Sequence, residues 1–157
     1  RSLGEVFGNA SPDGKYDIAV VRLAPVDYHR FHFPCDCTTE GEIVKFRGEY
    51  HSVNPIALLK RPDIYAMNER QVVKCKASFG EFYLIDVGAF GVGTIVQTFS
   101  GTSHLKGDEK GYFKFGGSTV IIALPAGAVK FDGDIISNSA QELETRVLCM
   151  EKIASIL

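Results

Sequence analysis

Apolar and β-branched runs in this chain are short, and glycine, proline or asparagine breaks each of them before a long helix could form. Sixteen glycines and six prolines in 157 residues supply the breaks. Such spacing selects strands over helices, because a strand needs only about five residues whereas a stable helix needs three turns or more. Strand-like runs cover residues 17–23, 29–33, 42–46, 71–76, 82–87, 93–99, 111–115 and 119–124. Ser100-Gly101-Thr102 and Lys106-Gly107-Asp108 read as turns, where glycine permits positive φ. A weak helical signal surrounds Met67-Asn68-Glu69-Arg70.

The tail breaks the pattern. Ser139-Ala140-Gln141-Glu142 has the form of a capping box, and apolar residues recur at Ala140, Leu143, Val147, Met150, Ala154 and Leu157. The fold expected is therefore mostly β, a barrel-like arrangement or sandwich of short strands, with a C-terminal amphipathic α-helix docked on a sheet or packed in a dimer. With 45% apolar residues, the chain fills one sizeable core, so residues 1–157 read as a single domain.

Seventeen basic residues against nineteen acidic ones leave no surplus to hold a phosphate backbone, which argues against nucleic acid as a partner. The longest apolar window, 119–129, is about half a membrane span and contains Pro125 and Gly127. With no initiator methionine and no signal-peptide pattern, the chain reads as a processed or excised piece. Four scattered cysteines, Cys35, Cys37, Cys75 and Cys149, read as reduced thiols in a reducing compartment.

Three stretches could carry chemistry. In Asp27-Tyr28-His29-Arg30-Phe31-His32, a carboxylate and an imidazole two residues apart share one face of a strand, while His32 falls on the other. A carboxylate beside a histidine can make it a general base, although a polar strand edge explains the same residues. The spacing His29-x-x-His32-x-x-Cys35-x-Cys37 also suggests zinc, but four ligands crowded into one strand suit a tetrahedral site poorly, and no metal is expected. The run from Gly88 to Thr94 lacks the lysine and following helix of a phosphate loop, so close backbone packing is the better reading.

The third stretch is Phe115-Gly116-Gly117-Ser118-Thr119-Val120. It is not the strand-to-helix elbow of a serine hydrolase, since strand-like sequence follows. A serine after two glycines can instead attack the carbonyl that precedes it, because glycine leaves that carbonyl open and tolerates strain. The bond at risk joins Gly117 to Ser118.

Taken together, the DYHRFH stretch, Gly48-Glu49-Tyr50-His51-Ser52-Val53-Asn54-Pro55, Asn68-Glu69-Arg70, Val87-Gly88-Ala89 and the segment from Lys106 to Thr119 resemble the pyruvoyl-dependent phosphatidylserine decarboxylases. The resemblance runs over essentially the whole chain, in the family's order. Its Gly-Gly-Ser-Thr form is similar to the branch found in some bacteria and in plant and fungal endomembranes, rather than the Leu-Gly-Ser-Thr form. The resemblance implies self-cleavage into a β chain, residues 1–117, and an α chain, residues 118–157, whose first residue becomes a pyruvoyl group made from Ser118. That ketone would form an imine with the substrate's amine and accept the electrons released by loss of carbon dioxide. No added cofactor would be needed.

By the same resemblance, His29 takes the position assigned to decarboxylation and His32 the position assigned to activating the serine. Asp27 supports them, and Thr119, Gly88 and Gly93 line the substrate site. The implied substrate is phosphatidylserine, or another α-carboxylate bearing a primary amine, and the implied assembly is a homodimer. Peripheral membrane contact would run through an N-terminal part before Arg1, at an endomembrane or bacterial inner membrane, with a cytoplasmic protein as the alternative. Two departures stand out. The acidic residue of an upstream Pro-x-Asp-Gly segment lies before Arg1, and Phe33-Pro34-Cys35-Asp36-Cys37 stands where Ser-Pro-Val-Asp-Gly is common. Alternative readings are decarboxylation of a soluble aromatic amino acid and an inactive scaffold or interaction module that keeps the fold.

Overall fold

The computed structural model describes residues 4–7, 14–90, 94–114 and 116–157. Its main element is an antiparallel six-stranded sheet that curls into a half-barrel. Its order runs β1 (Tyr16–Leu23), β9 (Ser118–Pro125), β5 (Gly80–Val87), β4 (Arg70–Ala77), β3 (Cys37–Phe46) and β7 (Ser103–His104). A three-stranded sheet places β8 (Glu109–Phe113) between β2 (Arg30–His32) and β6 (Ile95–Gln97), and β10 (Val129–Phe131) pairs with β11 (Ala154–Ile156). Short helices α1 (Gly4–Phe7), α2 (Pro55–Lys60), α3 (Ile64–Met67) and α4 (Gly133–Ser139) complete the described elements. The mostly β expectation therefore stands.

β9 explains the longest β-branched run in the sequence. It lies between β1 and β5, with core on both faces, so alternation of apolar and polar residues is lost. Ile121 and Ala123 pack on one face with Ile85, Val87, Val72 and Phe7. Ile122 and Leu124 pack on the other with Leu84, Phe82, Val73 and Phe33. Each fully buried side chain of this size contributes about 1.5–3 kcal/mol relative to exposure. The three-stranded sheet closes over one end of that second face, where Phe31, Ile95 and Phe113 meet Leu23 and Val120.

The expected C-terminal amphipathic helix does not form. The C-terminal tail is helical only over Gly133–Ser139, and Glu142 and Met150 then take left-handed φ values of 60° and 69° that an α-helix cannot contain. Tertiary contacts override the helical spacing: Arg22 grips the Glu144 carboxylate with two bonds of 2.6 Å, and the end of the tail pairs as β11 with β10. Leu143, Leu148 and Met150 are left exposed rather than aligned on one buried face, which removes the apolar helix face from the argument for a dimer. The helical signal near Met67 belongs to α3, which ends before Asn68. All four cysteines are free. No helix among the described residues is long and apolar enough to cross a membrane.

Candidate active site

Ser118 opens β9 and is fully buried. Pairing fixes it on both sides: its Cα partner on β1 is Leu23, and the next residue, Thr119, pairs with Arg22 and with Val87 on β5. The turn into the strand is made by Gly116, whose φ of 86° suits glycine and strains any other L-residue. Beyond Gly117, a Cβ would meet only Leu23 O at 3.6 Å and Val53 Cγ2 at 3.7 Å, which is ordinary contact. Glycine at 117 is thus not demanded by packing, and it leaves the carbonyl before Ser118 uncrowded.

His29 comes to Ser118 from the loop between β1 and β2. Its Nδ1 lies 3.3 Å from Ser118 Oγ, and its backbone carbonyl accepts from Phe113 N at 2.9 Å, which pins the loop to the three-stranded sheet. One polar atom here, His29 Nε2, is buried without a hydrogen-bond partner. Uncompensated burial of this kind is costly, and it marks places where a further group can bind.

The other expected residues are distributed differently. Asp27 does not touch His29: its carboxylate accepts from Ala24 N at 2.7 Å and its own N–H donates to Ala24 O at 2.9 Å. It therefore shapes the turn that delivers His29. His32 points away, as the strand period requires. Its Nδ1 lies 3.0 Å from Gly107 O, and its Nε2 lies 3.1 Å from the Tyr28 hydroxyl, whose ring stacks on it. An irregularity between Phe31 and His32 shifts the register of β2 but does not turn His32 toward Ser118. Gly88 sits just past β5, its N–H on Glu69 O and its carbonyl on Asn68 Nδ2 at 2.7 Å. Gly93 lies outside the described residues. The zinc spacing does not assemble, because His29 and His32 diverge while Cys37 enters the core with Cys75.

Two residues of the site's wall carried no role in the sequence reading. Val53 packs with Ile64 and Ala89 beside Gly117. Asn68 is fully buried and makes three bonds, from Nδ2 to His51 O at 2.9 Å and to Gly88 O, and from His51 N to Oδ1 at 2.9 Å. Its signal was a lone asparagine between a helical turn and a strand, inside a block that already carried the family likeness.

A serine with an imidazole at its hydroxyl, buried behind two glycines, is arranged for attack within its own chain. The same arrangement suits a carbonyl group formed at residue 118, with the unpartnered His29 Nε2 as a polar atom beside it; Thr119, the next residue on β9, faces the other side of the strand, toward Tyr65. The family model for phosphatidylserine decarboxylase matches residues 2–154. The chain belongs to the phosphatidylserine decarboxylase family. A phosphatidylserine decarboxylase proenzyme of Clostridium botulinum (strain 657 / Type Ba4) is 46% identical over 98% of the chain and 54% of its own length. Proenzymes of Clostridium novyi (strain NT) and Chlamydia felis (strain Fe/C-56) are 45% and 42% identical, each over 99% of the chain and 54% of their own length. The chain thus spans about half the length of these curated relatives.

Proposed function

We propose that this chain carries the catalytic half of a self-processing phosphatidylserine decarboxylase. The observation that carries the reading is the contact of His29 Nδ1 with a buried Ser118 Oγ directly after Gly116-Gly117, within a chain that matches the family almost end to end. In the first stage Ser118 Oγ loses its proton to a base and attacks the Gly117 carbonyl. The new C–O bond replaces the C–N bond, so the peptide becomes an ester and the Ser118 amine is freed. Loss of the Ser118 Cα proton then expels the Gly117 carboxylate, and water replaces the nitrogen, which leaves as ammonia. Residue 118 ends as a pyruvoyl group heading residues 118–157.

Once formed, that group supplies an electrophilic carbonyl for a substrate amine and a sink for the electrons left by carbon dioxide. The chain's own residues do the rest. His29 holds a proton next to residue 118 and returns it to the substrate's α-carbon, a task suited to imidazole near neutral pH. Leu23, paired with Ser118, and Val53, beside Gly117, place apolar residues around the buried serine. The names of the relatives favour phosphatidylserine as substrate and phosphatidylethanolamine as product. A membrane-surface location and a homodimer are part of the same proposal.

Intact mass under denaturing conditions, with and without a hydrazine reagent, tests the reading. Expected are two pieces divided between Gly117 and Ser118, with the smaller one gaining the reagent's mass, and a single full-length piece from Ser118→Ala. A single unreactive chain from the full-length protein would sink it.

A further inference from the structure

Outside the site lies a second polar cluster that the reaction does not use. Lys110 on β8 and Asp86 on β5 form an ion pair with side-chain exposures of 1% and 0%. Gln97 joins it, donating from Nε2 to Asp86 Oδ2 at 2.7 Å and to Gln71 Oε1 at 3.0 Å, while its Oε1 accepts from Lys110 Nζ at 3.2 Å. A buried ion pair stabilises a fold little or not at all relative to apolar side chains of the same size, because both charges must leave water. Asp86 Oδ1 even lacks a partner. Stability alone does not account for this cluster.

Its position does. Asp86 pairs with Val120, two residues along β9 from Ser118 and on the same face, because side chains alternate along a strand. Lys110 belongs to the other layer, and its Nζ lies 4.9 Å from the centre of the Phe31 ring. Phe31 follows His29 by two residues and packs closely on Gly111, where a Cβ would come within 2.8 Å of Phe31 Cζ and 2.2 Å of Val96 O. Just beyond, Phe113 N holds the His29 carbonyl. The ion pair therefore ties the sheet that holds the His29 loop to the strand beside β9.

We propose that Lys110 and Asp86 are positioning residues that set the placement of His29 on residue 118. The directional bonds of the pair fix how the small sheet sits on the large one, which the apolar contacts of Phe31, Phe113 and Val120 alone leave free to slide. The inference rests on the proposed reaction at Ser118.

The decisive variant is Lys110→Met with Asp86→Leu, which replaces the pair by apolar side chains. Expected is a melting temperature equal to or above the parent's, with self-cleavage and kcat lowered roughly 10- to 100-fold and KM little changed. The His29 imidazole signals in NMR should also shift or broaden, while those of His104 stay in place. A stable double variant with parental kcat and unmoved His29 signals overturns the proposal. Should the double variant fail to fold, Asp86→Asn decides by the same readouts, since it keeps the shape and removes the charge. A parent that cuts itself but decarboxylates no phosphatidylserine sinks the proposed substrate, and the His29 signals and cleavage rate still judge the pair.

Discussion

His29 Nδ1 and Ser118 Oγ meet at 3.3 Å, although 89 residues separate them along the chain. Neither residue could be brought there by local structure. β1 delivers the His29 loop to the mouth of the sheet, and β1 is also the strand on which Ser118 registers through Leu23. A single strand pair thus sets both ends of the contact. Replacing His29 by Ala is expected to lower decarboxylation by about 10²–10⁴-fold, the usual contribution of one positioned acid or base. Release of carbon dioxide from labelled phosphatidylserine measures it, and undiminished release would remove His29 from the reaction. Mass analysis of the same variant reads a separate point: an uncut chain makes His29 the base that takes the Ser118 proton, whereas a cut chain gives that task to another group.

Cleavage between Gly117 and Ser118 is expected to leave the two pieces associated. β9 would belong entirely to the smaller piece, yet it is hydrogen-bonded along its full length to β1 and over Thr119 to Ala123 to β5, both in the larger one. Arg22 adds its bond to Glu144, and the Asp17 carboxylate accepts from Gly127 N at 2.9 Å. The pieces should elute as one species on gel filtration in buffer and separate in several molar guanidinium. Separation without denaturant would contradict this sheet order.

Local signals in the sequence reached most of the strands and part of the site. Run length and breakers located β1, β2, β4, β5, β6, β8 and β9 and the second half of β3, because each of these carries an apolar or β-branched run of its own. They missed β7, β10 and β11, which are two or three residues long and exist only through their partners. The tail failed for the same reason in reverse. Its helical spacing is real, but nothing in the spacing announces that Arg22, over a hundred residues earlier, captures Glu144. At the site, strand alternation separated His29 from His32 correctly. It could not assign Asp27 to the Ala24 turn, because a carboxylate two residues from an imidazole looks the same whether it bonds the ring or the backbone.

Asn68 links three parts of the wall that no strand joins: His51, the end of α3 and the Gly88 loop. Truncation to Ala strands the His51 N–H and the carbonyls of His51 and Gly88 in a buried place. A loss of about 2–4 kcal/mol in unfolding free energy is expected, from buried groups left unpaired at about 1–3 kcal/mol each and partly relieved by water. Urea denaturation monitored by circular dichroism measures it. A change below about 0.5 kcal/mol would mean that water replaces the amide without cost.

His104 gives the fold an acid-sensitive point away from the site. Its ring stacks on Phe33 at 4.1 Å and meets Phe99 edge-on at 5.2 Å, and burial holds its pKa below the usual 6.5 against a weaker opposite pull from Asp108. The unfolded chain therefore binds a proton that the folded chain resists. The contribution of His104 is fully present above about pH 6.5 and is lost as pH falls below that value toward the folded pKa. Urea midpoints at pH 7, 6 and 5 should decline for the parent. They should decline less for His104→Phe, which keeps the stack and cannot take a proton. Equal declines in the two proteins would assign the acid sensitivity to other groups.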